Sequence, residues 1–500
     1  MVHLRYIHST NRRLILPALL FLAFGAGCAG IPGHPRPTIQ PPAFWNSLSD
    51  NSAAPSHVIA AASADLSAWW EGFNDPCLNE LVRGAIQANF DLRTAAARLG
   101  EARAARAAVA SERYPRAEAR GQFQRSETSD YYFGPGLPGD ITNLYDGGFD
   151  ALWELDFWGR IAKQTAAADA GIASAVENQR DVLVRVLAET ARAYVELRGS
   201  QRRQEIARAN IQVQQAIVDL TRQRYEAQIT DQLDVERAEA QLAAIQANLP
   251  QLEQLEKQSL HQLAFLLGLS GSAPLIPILD KRPIPPLPPR IPVGLPSEIL
   301  RRRPDIRRAE RDLAAAAARV EVAVADWFPH FSLTGSLGFK STEPGDWGEL
   351  AGRFWSLGPQ FSWPVLDFGR IRGNIHVQSA REAQALIAYE KTVAAAFREV
   401  EDALTAYGQE QLRNQSLAQS VASSRTAAGL ARERYEAGIT GFLAVLDAER
   451  SLYAAADALA RSDEQMALNL IALYKALGGG WNPGMFIAVD PAKEMQKSRE

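Results

Sequence analysis

One stretch of this sequence is written twice, 210 residues apart. The segment 222–242, RQRYEAQITDQLDVERAEAQL, returns at 432–452 as RERYEAGITGFLAVLDAERSL, with 12 of 21 positions identical. The same offset pairs Trp153 with Trp363 and Gly268 with Gly478. Upstream of the strands the offset becomes 214, which pairs 114–115 with 328–329. A repeat of this length predicts one structural unit of roughly 200 residues present in two copies.

The bulk composition excludes several classes of protein. The net charge of -4 gives no reason to expect a nucleic-acid partner. The two cysteines, Cys28 and Cys77, cannot build a disulfide framework, and four Met and seven His are too few to line a metal pathway. The sequence has no Gly-rich phosphate loop, no Cys/His cluster with metal spacing and no nucleophile elbow. We therefore predict a protein that is not an enzyme and has no cofactor and no metal site.

The amino terminus has the pattern of an export signal. Three arginines precede an apolar run of 11 residues, 14–24, which is too short to span a bilayer, and Gly25-Ala26-Gly27-Cys28 follows. This ending resembles a bacterial lipobox, although Gly25 stands where that pattern favours leucine. It predicts a signal peptide at 1–27 and a lipidated Cys28 as the first mature residue. The alternative is ordinary cleavage near Ala26.

Each half contains a segment of period two and then a long helical segment. Apolar and polar residues alternate over 117–124 and 149–157, and again over 331–340 and 357–365, which predicts one β-hairpin per half with one apolar and one polar face. Proline-free runs follow at 139–249 and 365–482 and predict very long helices. The repeated Ile-Thr segment predicts a helix–turn–helix tip within each run.

The same patterns set the domain boundaries. We predict an extended N-terminal tether at 28–68, a first repeat at 69–270 and a second repeat at 298–479. A connector with nine prolines at 271–297 joins the repeats, and a polar, flexible tail covers 480–500.

A hairpin with one apolar face either packs on a soluble core or faces lipid. The four predicted strands are bracketed by aromatic residues, among them Tyr131, Tyr132, Trp158, Trp327 and Trp355, which favours an outer-membrane barrel. Four strands cannot close a barrel, and lipid does not tolerate open sheet edges. Several chains must therefore share one barrel, and three chains would supply twelve strands and two chains eight.

The motifs that carry a family resemblance cover nearly all of the mature chain. They are WWEGFNDPCLNELV at 69–82, NFDLRTAAARLGEARA at 89–104, LPSEILRRRPDIRRAE at 295–310, WFPHFSLTGSLG at 327–338, VLDFGRIRG at 365–373 and RYEAGITGFLAVLDAERSLYAA at 434–455. With these motifs the chain resembles the outer-membrane efflux channel (TolC) family, in the lipoprotein branch typified by OprM and NodT.

The resemblance implies a membrane α+β fold. It implies a homotrimer whose shared twelve-stranded outer-membrane β-barrel is continuous with a twelve-helix periplasmic α-barrel. Its implied partners are a periplasmic adaptor protein, an inner-membrane RND-type transporter and outer-membrane lipid. The implied function is passive export of small molecules such as drugs from the periplasm to the exterior.

The resemblance also assigns roles to residues near the two tips. Asp234 and Asp447 fall on positions that form acidic rings in the family, and Ala444, the repeat counterpart of Asp234, does not. We expect these carboxylates, with Tyr225 and Tyr435, to form a gate that favours cations. Plain solvated helix surface is the alternative for the aspartates, and core packing is the alternative for the tyrosines. The residues expected to contact the adaptor at the periplasmic tip are Ile229, Thr230, Gly438, Ile439, Thr440 and Gly441.

Two other functions remain open at this point. A coiled-coil scaffold with soluble hairpins is one, and the signal segment and aromatic-bracketed strands argue against it. An exit duct of a type I protein secretion system is the other. The lipobox favours small-molecule efflux over that alternative only by analogy.

Overall fold

A computed structural model describes residues 40–49, 58–59, 65–127, 141–271 and 280–484. The predicted signal peptide, the lipidated Cys28, Tyr131 and Tyr132 lie outside the described residues, as do parts of the tether, the connector and the tail. The chain divides into two compact units, which are described separately below. One contains Ala107–Ala168 and Leu313–Ile387, and the other contains most of the helical residues.

Ten α-helices are present in the described residues. They are α1 (Asn46–Ser49), α2 (Pro76–Ala88), α3 (Phe90–Ser111), α4 (Arg160–Glu226), α5 (Gln232–Gln246), α6 (Leu249–Leu266), α7 (Pro296–Arg302), α8 (Pro304–Ala325), α9 (Arg370–Glu436) and α10 (Phe442–Ala476). The two longest, α4 and α9, have 67 residues each, so each is about 100 Å long at 1.5 Å per residue. None of the described helices combines the length and apolar character that crossing a membrane requires.

The long helices α4 and α9 begin in the same way. Each starts at the arginine of a Gly-Arg pair, after a glycine with positive φ. The carboxylate of Asp156 accepts the backbone N–H groups of Ile161 and Ala162 at 3.0 and 2.8 Å. Asp367 accepts the N–H of Ile371 at 2.8 Å, and this bond and the one from Gly369 lower the pKa of its carboxyl. An aspartate thus satisfies free N–H groups at the start of each helix.

The first unit contains a four-stranded antiparallel sheet in the order β2-β3-β5-β6. Its strands are β2 (Arg116–Glu127), β3 (Ile141–Leu155), β5 (His330–Ser341) and β6 (Arg353–Ser362). The two predicted hairpins are confirmed, and β3 pairs with β5 to join them, with Trp153 opposite Leu333. Strands β2 and β6 are the edges of the sheet.

The register places the apolar residues of the sheet on one face. Phe149 lies opposite both Ala119 and Leu337, and Leu337 lies opposite Trp355. The next rows along the strands are polar, and there Asp150 lies opposite Glu118 and Ser336. The predicted two-faced alternation is therefore confirmed, and most of the large apolar side chains on the apolar face are exposed in the single chain.

The second unit shows the duplication in its packing. The side chain of Asn89, between α2 and α3, donates to the carbonyl of Leu266 at the end of α6. Arg303, which occupies the same place between α7 and α8, donates to Ala476 O at the end of α10. Residues 89 and 303 differ by 214, and residues 266 and 476 differ by 210, so the two halves of the chain make the same connection with different side chains.

The extended-tether prediction does not hold at Trp45 and the residues directly after it, nor at 58–59. Trp45 is buried in the core of the second unit, and its indole N–H donates to Gly294 O at 3.0 Å. The N–H groups of Asn46 and Ser47 donate to the carboxylate of Glu401. A two-residue strand β1 (Val58–Ile59) pairs in parallel with β4 (Ile291–Pro292) of the proline-rich connector. Burial of the Trp45 ring explains why this part of the segment is packed.

The flexible-tail prediction is wrong at its start. The N–H of Gly480 donates to Leu66 O, and the indole N–H of Trp481 donates to Arg302 O at 3.1 Å. The guanidinium groups of Arg180 and Arg307 lie 4.6 and 5.2 Å from the Trp481 ring centroid. These cation–π contacts fix the chain as far as Trp481.

Candidate functional site

The two repeated Ile-Thr segments form tight turns between helices, as the sequence predicts. One turn lies between Glu226 and Gln232, and the other between Glu436 and Phe442. In each turn the isoleucine N–H donates back to an arginine carbonyl at the end of the long helix, Ile229 to Arg224 and Ile439 to Arg434, both at 2.8 Å. This is the hydrogen-bond pattern of a Schellman motif, which requires a left-handed residue just before the isoleucine.

The tips present apolar side chains to solvent. Ile229 is 64% exposed and Ile439 is 65% exposed, and each has an exposed leucine four residues later, Leu233 and Leu443. Exposed isoleucine and leucine side chains therefore lie at the end of each helical hairpin. Of the other predicted tip residues, Thr230, Gly438, Thr440 and Gly441 all lie within the two turns.

Asp234 is held by its own turn. The Thr230 hydroxyl donates to Asp234 Oδ2 at 2.6 Å, and Arg237 Nη1 lies 3.8 Å from Oδ1. The N–H of Asp234 donates to Asp231 Oδ1, which caps α5. The carboxylate is therefore partly buried and partly neutralised.

Asp447 has a different environment. Its side chain is exposed and lies in the second turn of α10, whereas Asp234 lies in the first turn of α5, so the two aspartates lie at different depths from their turns. The cause is in the repeat, where Asp234 corresponds to Ala444 and Asp447 corresponds to Arg237. Without an aspartate at 444, the buried Thr440 hydroxyl has no hydrogen-bond partner in the described structure.

The two tyrosines also differ. Tyr435 is 4% exposed and packs edge-on against Phe442 with ring centroids 6.0 Å apart, which fits the core-packing alternative. Its hydroxyl is buried and has no hydrogen-bond partner in the described structure. Tyr225, at the repeat-equivalent position, is 43% exposed. The two tyrosines therefore have different environments within a single chain, Tyr435 in the core and Tyr225 at the surface.

Sequence reasoning missed the arginines that surround the tips. Arg222 pairs with Glu239, and Arg432 pairs with Glu449, so the same ion pair closes each helical hairpin. Arg224 donates to Tyr435 O at 2.8 Å and connects the two hairpins. The repeated segment contains all of these residues, and their recurrence at the same offset was the signal that could have identified them.

No group of His, Cys, Asp or Glu in the described part of the chain has the arrangement needed to hold a metal ion. The tip geometry instead supplies an exposed apolar surface, carboxylates of unequal exposure and ion pairs between helices.

Comparison with known proteins gives consistent matches. Residues 81–269 and 295–479 each match the profile of the family described as "Outer membrane efflux protein". Nodulation protein T of Rhizobium leguminosarum bv. viciae is 31% identical over 472 residues, which is 93% of this chain and 92% of that protein. The solvent efflux pump outer membrane protein SrpC of Pseudomonas putida is 30% identical, with 93% of this chain and 98% of that protein covered. The solved structure of the outer-membrane channel OprN has a TM-score of 0.82 and 38% identity, and the match covers 91% of this chain and all of that one.

Proposed function

The chain belongs to the outer membrane efflux protein family, and we propose that it is the outer-membrane exit duct of a tripartite efflux pump. It conducts small molecules such as drugs from the periplasm to the exterior. The alternative of a type I secretion duct is not favoured, because the similar proteins SrpC and TtgI are described as outer membrane proteins of solvent and toluene efflux pumps.

The observation that carries this proposal is the four-stranded sheet. Its apolar face exposes Phe149, Leu337, Trp355, Leu357 and Phe361, and both of its edge strands lack a neighbour within the described residues. A sheet with an exposed apolar face is expected to aggregate in water. In a membrane the same face contacts lipid, and the polar face lines a water-filled lumen.

A single sheet of four strands cannot satisfy its own edges, so the proposal includes a homotrimer. In it, β6 of one chain pairs with β2 of the next, and three chains form a barrel of twelve strands. The 67-residue helices, with the shorter helices beside them, supply a twelve-helix periplasmic barrel. In lipid, a β-sheet satisfies all of its backbone hydrogen bonds only when its edges pair and the sheet closes into a barrel.

The proposed partners rest on membership of the efflux protein family and on the exposed side chains at the tips. Within the pump we assign the exposed surface at Ile229, Thr230, Ile439 and Thr440 to contact with a periplasmic adaptor, which connects the duct to an inner-membrane RND-type transporter. The turns at Gly438 and Gly441 belong to the same surface. Cys28 is proposed as a lipid anchor in the outer membrane, and intact-mass measurement of the mature protein tests it, because an unmodified start at another residue contradicts it.

The gate assignment is part of the same proposal. In a threefold assembly the carboxylates of Asp234 and Asp447, with Tyr225 and Tyr435 nearby, would surround the narrow end of the duct. Carboxylates that converge on an axis attract cations and repel anions. We also propose that the duct has no catalytic activity of its own and that the partner transporter supplies the energy for export.

Reconstitution of the purified protein tests the duct. Native mass spectrometry is expected to show three copies, and planar-bilayer recording is expected to show a conducting pore. A preparation that stays monomeric and forms no pore contradicts the proposal. Nucleotide hydrolysis that persists through further purification contradicts the non-enzymatic role.

A further inference from the structure

A directional contact joins the two helical hairpins of one chain near their tips. The guanidinium of Arg224, from the first repeat, lies 4.4 Å from the ring centroid of Tyr435, from the second repeat, and donates to its carbonyl at 2.8 Å. Around this contact is a small apolar cluster formed by Ile217, Val218, Ala238, Tyr435, Phe442, Val445 and Leu446. We refer to these residues together with Arg224 as the tip seam.

The repeat contains a second arginine and a second tyrosine at the equivalent positions. The counterpart of Arg224 is Arg434, and the counterpart of Tyr435 is Tyr225, both at an offset of 210. Arg434 is exposed and Tyr225 is 43% exposed, and neither side chain has a partner among the residues that the structure describes. Leu220 packs against the tip seam, whereas its counterpart Leu430 is 55% exposed.

A directional contact between two equivalent units leaves one donor surface and one acceptor surface unused. Such head-to-tail contacts either continue indefinitely or close into a ring. In this chain the unused donor surface carries Arg434 and Leu430, and the unused acceptor surface carries Tyr225. The unused donor surface therefore resembles the one that carries Arg224, and the unused acceptor surface resembles the one that carries Tyr435.

We propose that the tip seam is repeated between chains, so that Arg434 and Leu430 of one copy contact Tyr225 of a second copy. The inference rests on the proposed trimer and adds to it a specific interface. In the assembly, three seams within chains would alternate with three seams between chains around the tips.

The two kinds of seam differ in strength. The counterpart of Phe442 is Gln232, the counterpart of Ile217 is Ala427, and Val213, which packs against the seam, corresponds to Ser423. The seam between chains therefore buries less apolar surface than the seam within a chain. Opening of the tips is expected to begin between chains, where less apolar contact must be broken.

Site-specific photocrosslinking in the assembled protein tests this proposal. Benzoylphenylalanine at position 225 is expected to crosslink to a second chain, giving a dimer band on a denaturing gel, with the adduct mapped by mass spectrometry to residues 427–434. The matched probe at position 435 is expected to crosslink within its own chain, to residues 217–224, and to leave the band at monomer mass.

The outcomes separate this inference from the proposed function. A trimer in native mass spectrometry whose position 225 crosslinks only within its own chain, or to a distant segment, overturns the seam and leaves the duct intact. Absence of any trimer overturns both. As a second measurement, Arg434→Ala is expected to lower the temperature at which the trimer dissociates in detergent, and Arg224→Ala is expected to affect this temperature less. The reverse order contradicts the proposal.

Discussion

Two residues at the same place in the two turns adopt the left-handed backbone conformation, but only one of them is glycine. Gln228 has φ of 60° and Gly438 has φ of 71°, and both precede the isoleucine of the turn. A side chain in the left-handed region costs about 1 kcal/mol that glycine does not pay. Gln228→Gly is therefore expected to raise the thermal unfolding temperature slightly, and Gly438→Gln to lower it. Circular dichroism at 222 nm measures both, and a decrease for Gln228→Gly contradicts the strain argument.

The half-buried carboxylate of Glu464 is expected to make stability depend on pH. Burial raises the pKa of Glu464 from 4.5 to about 7, although Arg203 opposes the shift. A side-chain carbon added at Gly199 would lie 2.3 Å from Glu464 Oε2, so the carboxyl packs directly on the backbone of α4. Because the folded state prefers the protonated acid, its stabilising contribution is complete below pH 4.5 and is lost as the pH rises through 7.

Substitution of this acid is expected to remove the effect. Glu464→Gln should flatten the decrease in unfolding temperature between pH 4.5 and 7, and the free energy involved is about 3 kcal/mol at most. Thermal unfolding at a series of pH values measures it. Asp463→Asn, on the neighbouring exposed residue, serves as the control. An unchanged pH profile in Glu464→Gln would show that another group titrates.

At the scale of elements, a tryptophan side chain in each repeat forms a hydrogen bond that connects the strands to the end of the preceding helix. The indole N–H of Trp153 in β3 donates to Arg113 O at 2.9 Å, just after α3. That of Trp363, just after β6, donates to Trp327 O at 3.1 Å, just after α8. The offsets of 210 and 214 relate the two bonds, so each repeat uses the same fastening. The carbonyls that accept these bonds lie at helix ends, where acceptors otherwise lack partners.

Removing the donor while keeping the aromatic ring tests this fastening. Trp153→Phe and Trp363→Phe are each expected to destabilise the protein by about 1 kcal/mol, the contribution of one hydrogen bond. Trp355→Phe, which changes an exposed residue in β6, is the control and is expected to change stability less. Thermal unfolding in detergent measures all three. Equal effects at 355 and 153 would show that the aromatic area, and not the N–H, is what matters.

At the scale of the whole molecule, the sequence predicts regular features better than single contacts. The hairpins and tips are predictable because period-two alternation and proline-free runs reflect backbone geometry. Such a pattern extends over many residues of a segment, so no single residue decides the prediction. The burial of Tyr435 and exposure of Tyr225 are not predictable in this way, since both occur in the same RYEA sequence. Their difference arises from Phe442 and Gln232, which lie across the turn, and from the neighbouring hairpin. The burial of Trp45 is not predictable from its local sequence either, because its partner Gly294 lies 249 residues away.

The two aspartates are expected to contribute unequally to the cation selectivity of the proposed duct. Asp447 is exposed and has no ion-pair partner among the described residues, whereas Asp234 is bonded to Thr230 and lies near Arg237. An uncompensated carboxylate at a constriction attracts cations more strongly than a partly neutralised one, and salt screens both. Asp447→Ala is therefore expected to reduce cation selectivity in single-channel recordings more than Asp234→Ala, with a larger difference at low salt. Asp402→Ala, an exposed aspartate away from the turns, is the control. If Asp234→Ala has the larger effect on selectivity, or if Asp447→Ala changes only the stability of the trimer, the gate is not built as proposed.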